Sequence, residues 1–314
     1  MDNQQAFRAA IKERVNGKVA FDEPMAAHTW FRVGGPADVY VAPESADELV
    51  SLVKWLAAEN VSYVVIGGGS NLLVKDKGIR GVVIDTAAGI KGVSVSDEGT
   101  ASTVVRAMAG EPLNRLCRFA IEKGLSGLNF AIGIPGTVGG AVMMNAGTAR
   151  GAMENVVVQI TVLFPDGRVE AFTEASLEFE YRGLKFPEHI AASPSPVILD
   201  ASFQLYPANR DKLAAEAEAL LKQRQAGQPK GGASAGCFFK NPETGEPAGA
   251  LIDRAGMKGV SCGDAQVSEV HANFILNRGR ASAADIVQLM EKVQAAVYEK
   301  FQVFLNPEVR IVGD

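Results

Sequence analysis

Two stretches of this 314-residue chain combine many glycines with little side-chain bulk. The first is Gly133-Ile134-Pro135-Gly136-Thr137-Val138-Gly139-Gly140-Ala141-Val142-Met143-Met144-Asn145-Ala146-Gly147, which holds five glycines and no charged side chain. Glycine permits close backbone approach and the positive φ angles that aim N–H groups at one point. The chemistry this suits is contact between bare backbone and a phosphate or a large flat ligand. Tightly packed turns in a buried β domain would give the same composition. The second stretch runs from Gly227 and Gln228 through Gly236-Cys237-Phe238-Phe239-Lys240-Asn241-Pro242 and carries one thiol, one lysine and one amide. A shorter run, Gly67-Gly68-Gly69-Ser70-Asn71-Leu72-Leu73, follows the apolar segment Tyr63–Ile66 and reads as a phosphate-holding turn. Metal chemistry is not expected: Cys117, Cys237 and Cys262 lack metal-type spacing, and His28, His189 and His271 are scattered.

The whole-chain properties narrow the partners. A net charge of −5 with no basic stripe argues against nucleic acid. No apolar run reaches membrane-spanning length, and the polar N-terminus has no signal-peptide core. Sparse, odd-numbered cysteine fits free thiols in a reducing cytosol.

The elements that must position these stretches follow in order. Residues 1–20 read as a lead-in helix with Phe7, Ile11 and Val15 on one face. Ser45 and Glu48 form a capping-box pattern ahead of the stripe Leu49, Leu52, Val53 and Leu56. Strands are expected at 63–66 and 82–85. The Lys75-Asp76-Lys77-Gly78 turn between them leaves no room for a crossover helix, so a dinucleotide-binding βαβ unit is rejected. Strands at 93–95 and 103–109 precede a helix from Pro112 to Gly124 that buries Cys117. A hairpin spans 156–172 around Pro165-Asp166-Gly167, and a strand spans 197–205. Composition then shifts to an Ala/Leu/Lys/Glu helix over 208–225 with Leu213, Ala217, Leu220 and Leu221 on one side, which sets a domain boundary near 206. A short helix at 249–255, a strand near 273–276 and a long helix opened by Ser282 and Asp285 complete the chain.

Four stretches, taken in order, resemble the UDP-N-acetylenolpyruvoylglucosamine reductase family over essentially the whole chain. They are Gly67–Leu73, Ile134–Gly147, Ala235–Pro242 and Pro307-Glu308-Val309-Arg310, with Tyr181-Arg182 between the second and third. The resemblance implies an α+β protein: a two-subdomain FAD-binding fold of the vanillyl-alcohol-oxidase type plus a C-terminal α+β substrate-binding domain. The subdomains are expected at 1–87 and 88–206 and the substrate domain at 207–301, with the terminal strand in 302–314 returning to the FAD-binding part. FAD would be held non-covalently by Gly67, Gly68, Gly69, Ser70, Asn71, Leu72, Gly133, Ile134, Pro135, Gly136, Thr137, Gly139, Gly140, Val142 and Asn145.

NADPH would be the co-substrate and a UDP-sugar the substrate, in cytoplasmic peptidoglycan precursor synthesis; a monomer is expected, with an oligomer left open by the sequence. The resemblance assigns Cys237 as proton donor, where the family has serine, with Arg182 and Glu308 as the other catalytic groups. It places Lys240, Asn241 and Tyr181 on the substrate side, and Arg224 and Gln228 at the diphosphate. Taken alone, Arg182 reads as a surface ion pair, Glu308 as a strand-end charge and Cys237 as a buried spectator. A thiol titrates near about 8.5, so at neutral pH it still carries a proton to give. The run after Arg182 and the segment Thr148-Ala149-Arg150-Gly151 depart from the family pattern, which bears on loop geometry. No interval accommodates the longer class's tyrosine-bearing insert, so the shorter class is expected. Another FAD enzyme of this fold, or a non-catalytic nucleotide-binding module, stays open on the sequence.

Overall fold

The computed structural model describes residues 3–186, 195–243 and 245–314. They form two compact units, one of Met1–Asp22, Asp38–Gly68 and Gly81–Leu221, the other of Glu23–Ala37, Gly69–Arg80 and Lys222–Asp314.

The first unit is built on two larger sheets. One orders its strands Lys18–Pro24, Pro36–Ala42, Ile79–Asp85 and Tyr63–Ile66, with the last two parallel. Helix Ala46–Ala58 lies on it, burying Leu49, Leu52, Val53 and Leu56 as their spacing demands. Ser45 caps that helix by accepting from the Glu48 N–H. The other half of the expected box is absent. The Glu48 carboxylate accepts instead from the N–H groups of Glu44, Asn16 and Gly17, tying down the end of the lead-in helix. That helix is shorter than expected, Asn3–Arg14, because the chain turns there into an edge strand.

The second sheet of this unit is antiparallel, in the order Val169–Thr173, Val157–Leu163, Val197–Pro207, Thr103–Met108, Val93–Glu98. Its core takes in Val105, Ile160, Phe203 and the buried face of helix Leu113–Glu122. Cys117 is on that face, and burial pushes its thiol up to about 12. Gly124, at φ +67, ends the helix region as expected.

The second unit is built around helix Ala283–Phe301, which packs on the small antiparallel sheet Ser261–Cys262, Ala265–Val267, Ile275–Asn277. The capping box of Ser282 and Asp285 forms in both directions. Asp76 adds a cap from far away in sequence, accepting from the N–H groups of Ala283 and Ala284 at 2.8 Å each. Strand Leu72–Val74 pairs in parallel with Arg310–Val312. Phe31, Leu73, Phe238 and Phe239 enter the same core.

Two expectations change here. The boundary expected near 206 falls at 221–222, inside helix Arg210–Gly227. The composition shift marks the end of a strand, not a change of packing partner: Leu213 is buried, and Glu216 accepts from Asn129 at 2.7 Å, so the start of the helix stays with the first unit. The apolar stripe expected on this helix is otherwise not buried, and Leu221 is exposed. Strand Val197–Pro207 is followed within two residues by the helix, so no insert lies there. The other interval considered for an insert, after Arg182, lies partly outside the described residues.

Candidate active site

In the first unit the start of the Gly67–Leu73 run meets the Gly133–Gly147 stretch. Gly67 is so close to Thr137 that a Cβ added to it would lie 2.3 Å from the Thr137 hydroxyl oxygen. Gly68 faces Gly136 in the same way, with a Cβ 3.3 Å from the Gly136 Cα. Past this crossing the chain forms the short helix Val138–Met143. Gly139 serves packing: its N–H donates to the Ala109 carbonyl at 2.8 Å, and a side chain there would strike Ala109. The helix also turns Val138, Ala141 and Val142 into the core. Val142, expected on the cofactor wall, is therefore a core residue. Leu72, expected beside it, is likewise buried, in the strand paired with Arg310–Val312. Gly133 and Gly140 stay exposed, and Ile134, Pro135 and Gly136 are half-buried.

Arg182 is mounted on a two-stranded ribbon. Strands Glu178–Glu180 and Gly183–Lys185 pair, and Tyr181-Arg182 is the whole of the turn. Arg182 sits at φ +62, the left-handed region that non-glycine residues seldom occupy. Its guanidinium lies 5.1 Å from the centre of the exposed Tyr181 ring and donates to the Gly147 carbonyl at 3.3 Å.

The second unit gathers three of the four motifs. The first glycine motif passes from one unit to the other after Gly68. Beyond it, Asn71 Nδ2 donates to the Glu308 carbonyl at 3.0 Å, and the Arg310 N–H donates to the Asn71 carbonyl at 3.1 Å. The segment after Cys237 runs antiparallel to 306–308. The Glu308 N–H donates to the Phe238 carbonyl at 2.7 Å, Phe239 bridges Pro307, and the Lys240 N–H donates to the Asn306 carbonyl at 2.9 Å. Cys237 and Glu308 thus occupy neighbouring segments of backbone. On the other side Cys237 bridges Phe274.

Asn273, which sequence reasoning passed over, locks this arrangement. It is 3% exposed. Its Oδ1 accepts from the Phe239 N–H at 2.9 Å and its Nδ2 donates to the Phe239 carbonyl at 2.8 Å. A lone asparagine carries no local signal for such a clamp. Asn241 is partly committed as well, since its Oδ1 caps the helix Ala248–Arg254 by accepting from the Ala248 N–H at 3.0 Å. Arg224 and Gln228 are half-buried. Burial lowers the Arg224 pKa, opposed by the field of Cys237, and its Nε is buried without a hydrogen-bond partner.

The UDP-N-acetylenolpyruvoylglucosamine reductase of Desulfosudis oleivorans is 47% identical to this chain, over 98% of it and 99% of the relative. The chain belongs to the UDP-N-acetylenolpyruvoylglucosamine reductase family. The reductase of Bacillus subtilis is 40% identical over 96% of this chain and 97% of its own. The crystal structure of the reductase from Thermus caldophilus matches with a TM-score of 0.75 at 34% identity, covering 95% of this chain and 99% of that one. The model for the C-terminal domain of UDP-N-acetylenolpyruvoylglucosamine reductase matches residues 228–312, and that for an FAD binding domain matches residues 37–173.

This member of the reductase family is accordingly an FAD-binding oxidoreductase, with an FAD-binding domain followed by the family's C-terminal domain. The residues fit the cofactor. Gly67 and Gly68 pass so close to Thr137 and Gly136 that side chains are crowded out, which leaves bare backbone in a stretch with no charged side chain to oppose an anionic pyrophosphate or crowd a flat ring. Among the described residues no helix is long and apolar enough to cross a membrane.

Proposed function

We propose that this chain reduces UDP-N-acetylglucosamine enolpyruvate to UDP-N-acetylmuramate with NADPH, with Arg182, Glu308 and Cys237 as the working side chains. Bound FAD supplies the hydride, drawn from NADPH, to the terminal vinyl carbon of the enolpyruvyl group. The rest of the chemistry falls to this chain. As the hydride arrives, the electron pair of the double bond shifts onto the carboxylate and forms an enolate. Arg182 stabilises that charge where it develops, an effect largest when the donor is already in place. Glu308 works with the arginine to polarise the substrate. The Cys237 thiol then gives its proton to the ether-bearing carbon from one face, which sets the D-lactyl configuration and leaves a thiolate. Hydride and proton together complete the reduction.

The observation that carries this reading is the pairing of the Cys237 segment with the Glu308 segment. Hydrogen bonds from Glu308 to Phe238 and from Lys240 to Asn306 hold an acid that can be deprotonated and a thiol that can donate on adjacent backbone. Lys240, Asn241, Arg224, Gln228 and Tyr181 are the groups we assign to the nucleotide and sugar. Gly67–Asn71 and Gly133–Gly140 are those we assign to FAD. The free thiols fit a reducing compartment and support a cytoplasmic enzyme, and we infer that its partners are small molecules.

One anaerobic titration tests the reading. The purified protein should show a flavin spectrum that NADPH bleaches and that UDP-N-acetylglucosamine enolpyruvate restores. A colourless protein, or a reduced flavin that this substrate leaves reduced, overturns it.

A further inference from the structure

Asn145 lies two residues before the end of the glycine stretch, among the residues expected to hold the cofactor. Its surroundings point elsewhere. The residue is 3% exposed and sits at φ +40, a region asparagine tolerates better than most residues. Its Nδ2 donates to the Glu180 carbonyl at 3.0 Å and to the Glu154 carboxylate at 3.1 Å. Its Oδ1 accepts from the Glu154 N–H at 3.1 Å, and its own N–H donates to the Val142 carbonyl at 3.0 Å. A side-chain amide has two donor hydrogens and one oxygen, so both donors and the acceptor are engaged inside the first unit.

Glu180 is the residue just before the Tyr181-Arg182 turn, and it closes the ribbon by pairing with Gly183. Two strands of three residues do not hold a turn by themselves. The body of the ribbon has apolar anchors: Leu184 is buried, and Phe179 and Phe186 pack on the same core. The tip has none of these. It carries a left-handed arginine, and two polar contacts are among those that restrain it: Asn145 on the Glu180 carbonyl and Arg182 on the Gly147 carbonyl. Gly147 lies two residues from Asn145, so one short segment grips the turn from both sides.

We propose that Asn145 is a positioning residue: held by Glu154, it grips the Glu180 carbonyl and so fixes the turn that aims Arg182 at the substrate carboxylate. This rests on the reading that Arg182 stabilises the enolate. Loss of the grip leaves the ribbon attached through Phe179, Leu184 and Phe186 but lets its tip wander, and displacement of about 1 Å at a reacting centre is enough to slow a step severely.

The test is Asn145→Gly, which keeps the backbone conformation accessible and removes only the amide. The variant should bind flavin at wild-type stoichiometry. Its reduced flavin should be reoxidised by UDP-N-acetylglucosamine enolpyruvate roughly 10- to 100-fold more slowly, with kcat changed more than KM. In an Arg182→Ala background the same change should slow reoxidation no further, because the group it positions is gone. Glu154→Ala, on an exposed side chain, repeats the experiment in case Asn145→Gly folds poorly, with a smaller loss and the same absence of effect behind Arg182→Ala. Losses that multiply in the double variants, or loss of flavin from a folded Asn145→Gly protein, overturn the proposal alone. A wild-type flavin that the substrate does not reoxidise overturns the functional reading and this proposal with it.

Discussion

Arg182 and Cys237 are held in opposite ways. The arginine rides the tip of a two-stranded ribbon, in a left-handed turn beside an exposed tyrosine, restrained by hydrogen bonds to carbonyls. The cysteine is woven between two backbone neighbours, bridged to Phe274 on one side and continuing into a segment paired with 306–308 on the other. A buried asparagine serves each mount, but differently. Asn145 grips a carbonyl at the edge of a turn, whereas Asn273 takes both the N–H and the carbonyl of Phe239 in the middle of a core. The lesson is that positional accuracy and fold stability are separable here. Damage to the first mount should show in the rate and damage to the second in the folding equilibrium.

Arg182→Ala should slow substrate reoxidation of the flavin by about 10²- to 10³-fold, the usual loss for one preorganised donor at a developing charge. Its unfolding free energy, read from urea titration, should hold to within about 0.5 kcal/mol, since the side chain is not part of a core and the left-handed backbone suits alanine no worse than arginine. A loss of stability comparable to the loss of rate would show the ribbon to be a structural element after all.

Asn273→Ala should give the mirror image. It strands the buried N–H and carbonyl of Phe239, at about 1–3 kcal/mol for each buried group left unsatisfied. Urea unfolding reads this. An unchanged midpoint with a collapsed rate would mean that Asn273 acts at the reaction and not on the fold.

Much of this was visible in the sequence and some was not, for a physical reason. The capping box at Ser282, the hairpin through 157–173 and the glycine stop at Gly124 are local devices, spelled out within a few residues. So were the four motifs, which pointed to the family only together and in order. What the sequence hid is long-range. Asn71 meets Glu308 and Asn277 meets Phe31 at separations of 237 and 246 residues, and no spacing rule reports such pairs. The same blindness hid the partners of Asn145, since Glu154 and Glu180 carry no motif. It also made Glu48 half of a capping box, when its carboxylate was needed at Asn16 and Gly17.

The thiol offers a finer test of the second mount. Cys237→Ser should keep the reaction within about tenfold of wild type, since a hydroxyl can give the same proton. In the wild type, iodoacetamide should modify Cys237 and abolish turnover while sparing Cys117 and Cys262. Both of those are buried, and burial holds the Cys117 thiol near about 12, far from the reactive thiolate. The donor is the protonated form, so turnover should fall as pH rises and the thiolate accumulates, and this alkaline limb should be absent from Cys237→Ser. Full activity after demonstrated modification of Cys237 would put the proton donor elsewhere.

The smallest effect probes the same mount through stability. His271 lies beside Asn273, accepting its N–H at Nδ1 over 3.2 Å, with its ring 5.0 Å from Phe274. Burial lowers its pKa below the ordinary histidine value, helped by the field of Lys258 and opposed by a backbone hydrogen bond. The folded state therefore favours neutral imidazole. The unfolded chain takes up its proton near about pH 6.5. Above that value the contribution to stability is complete. It declines as pH falls through the window down to the folded pKa and is constant below it. The ring is only half-buried, so screening keeps the swing small. His271→Gln keeps an acceptor side chain and removes the titration. Urea midpoints at pH 7.5 and 5.5 should separate less in the variant than in the wild type. A variant with the full wild-type separation would assign the acid sensitivity to other groups and leave the Asn273 mount indifferent to pH.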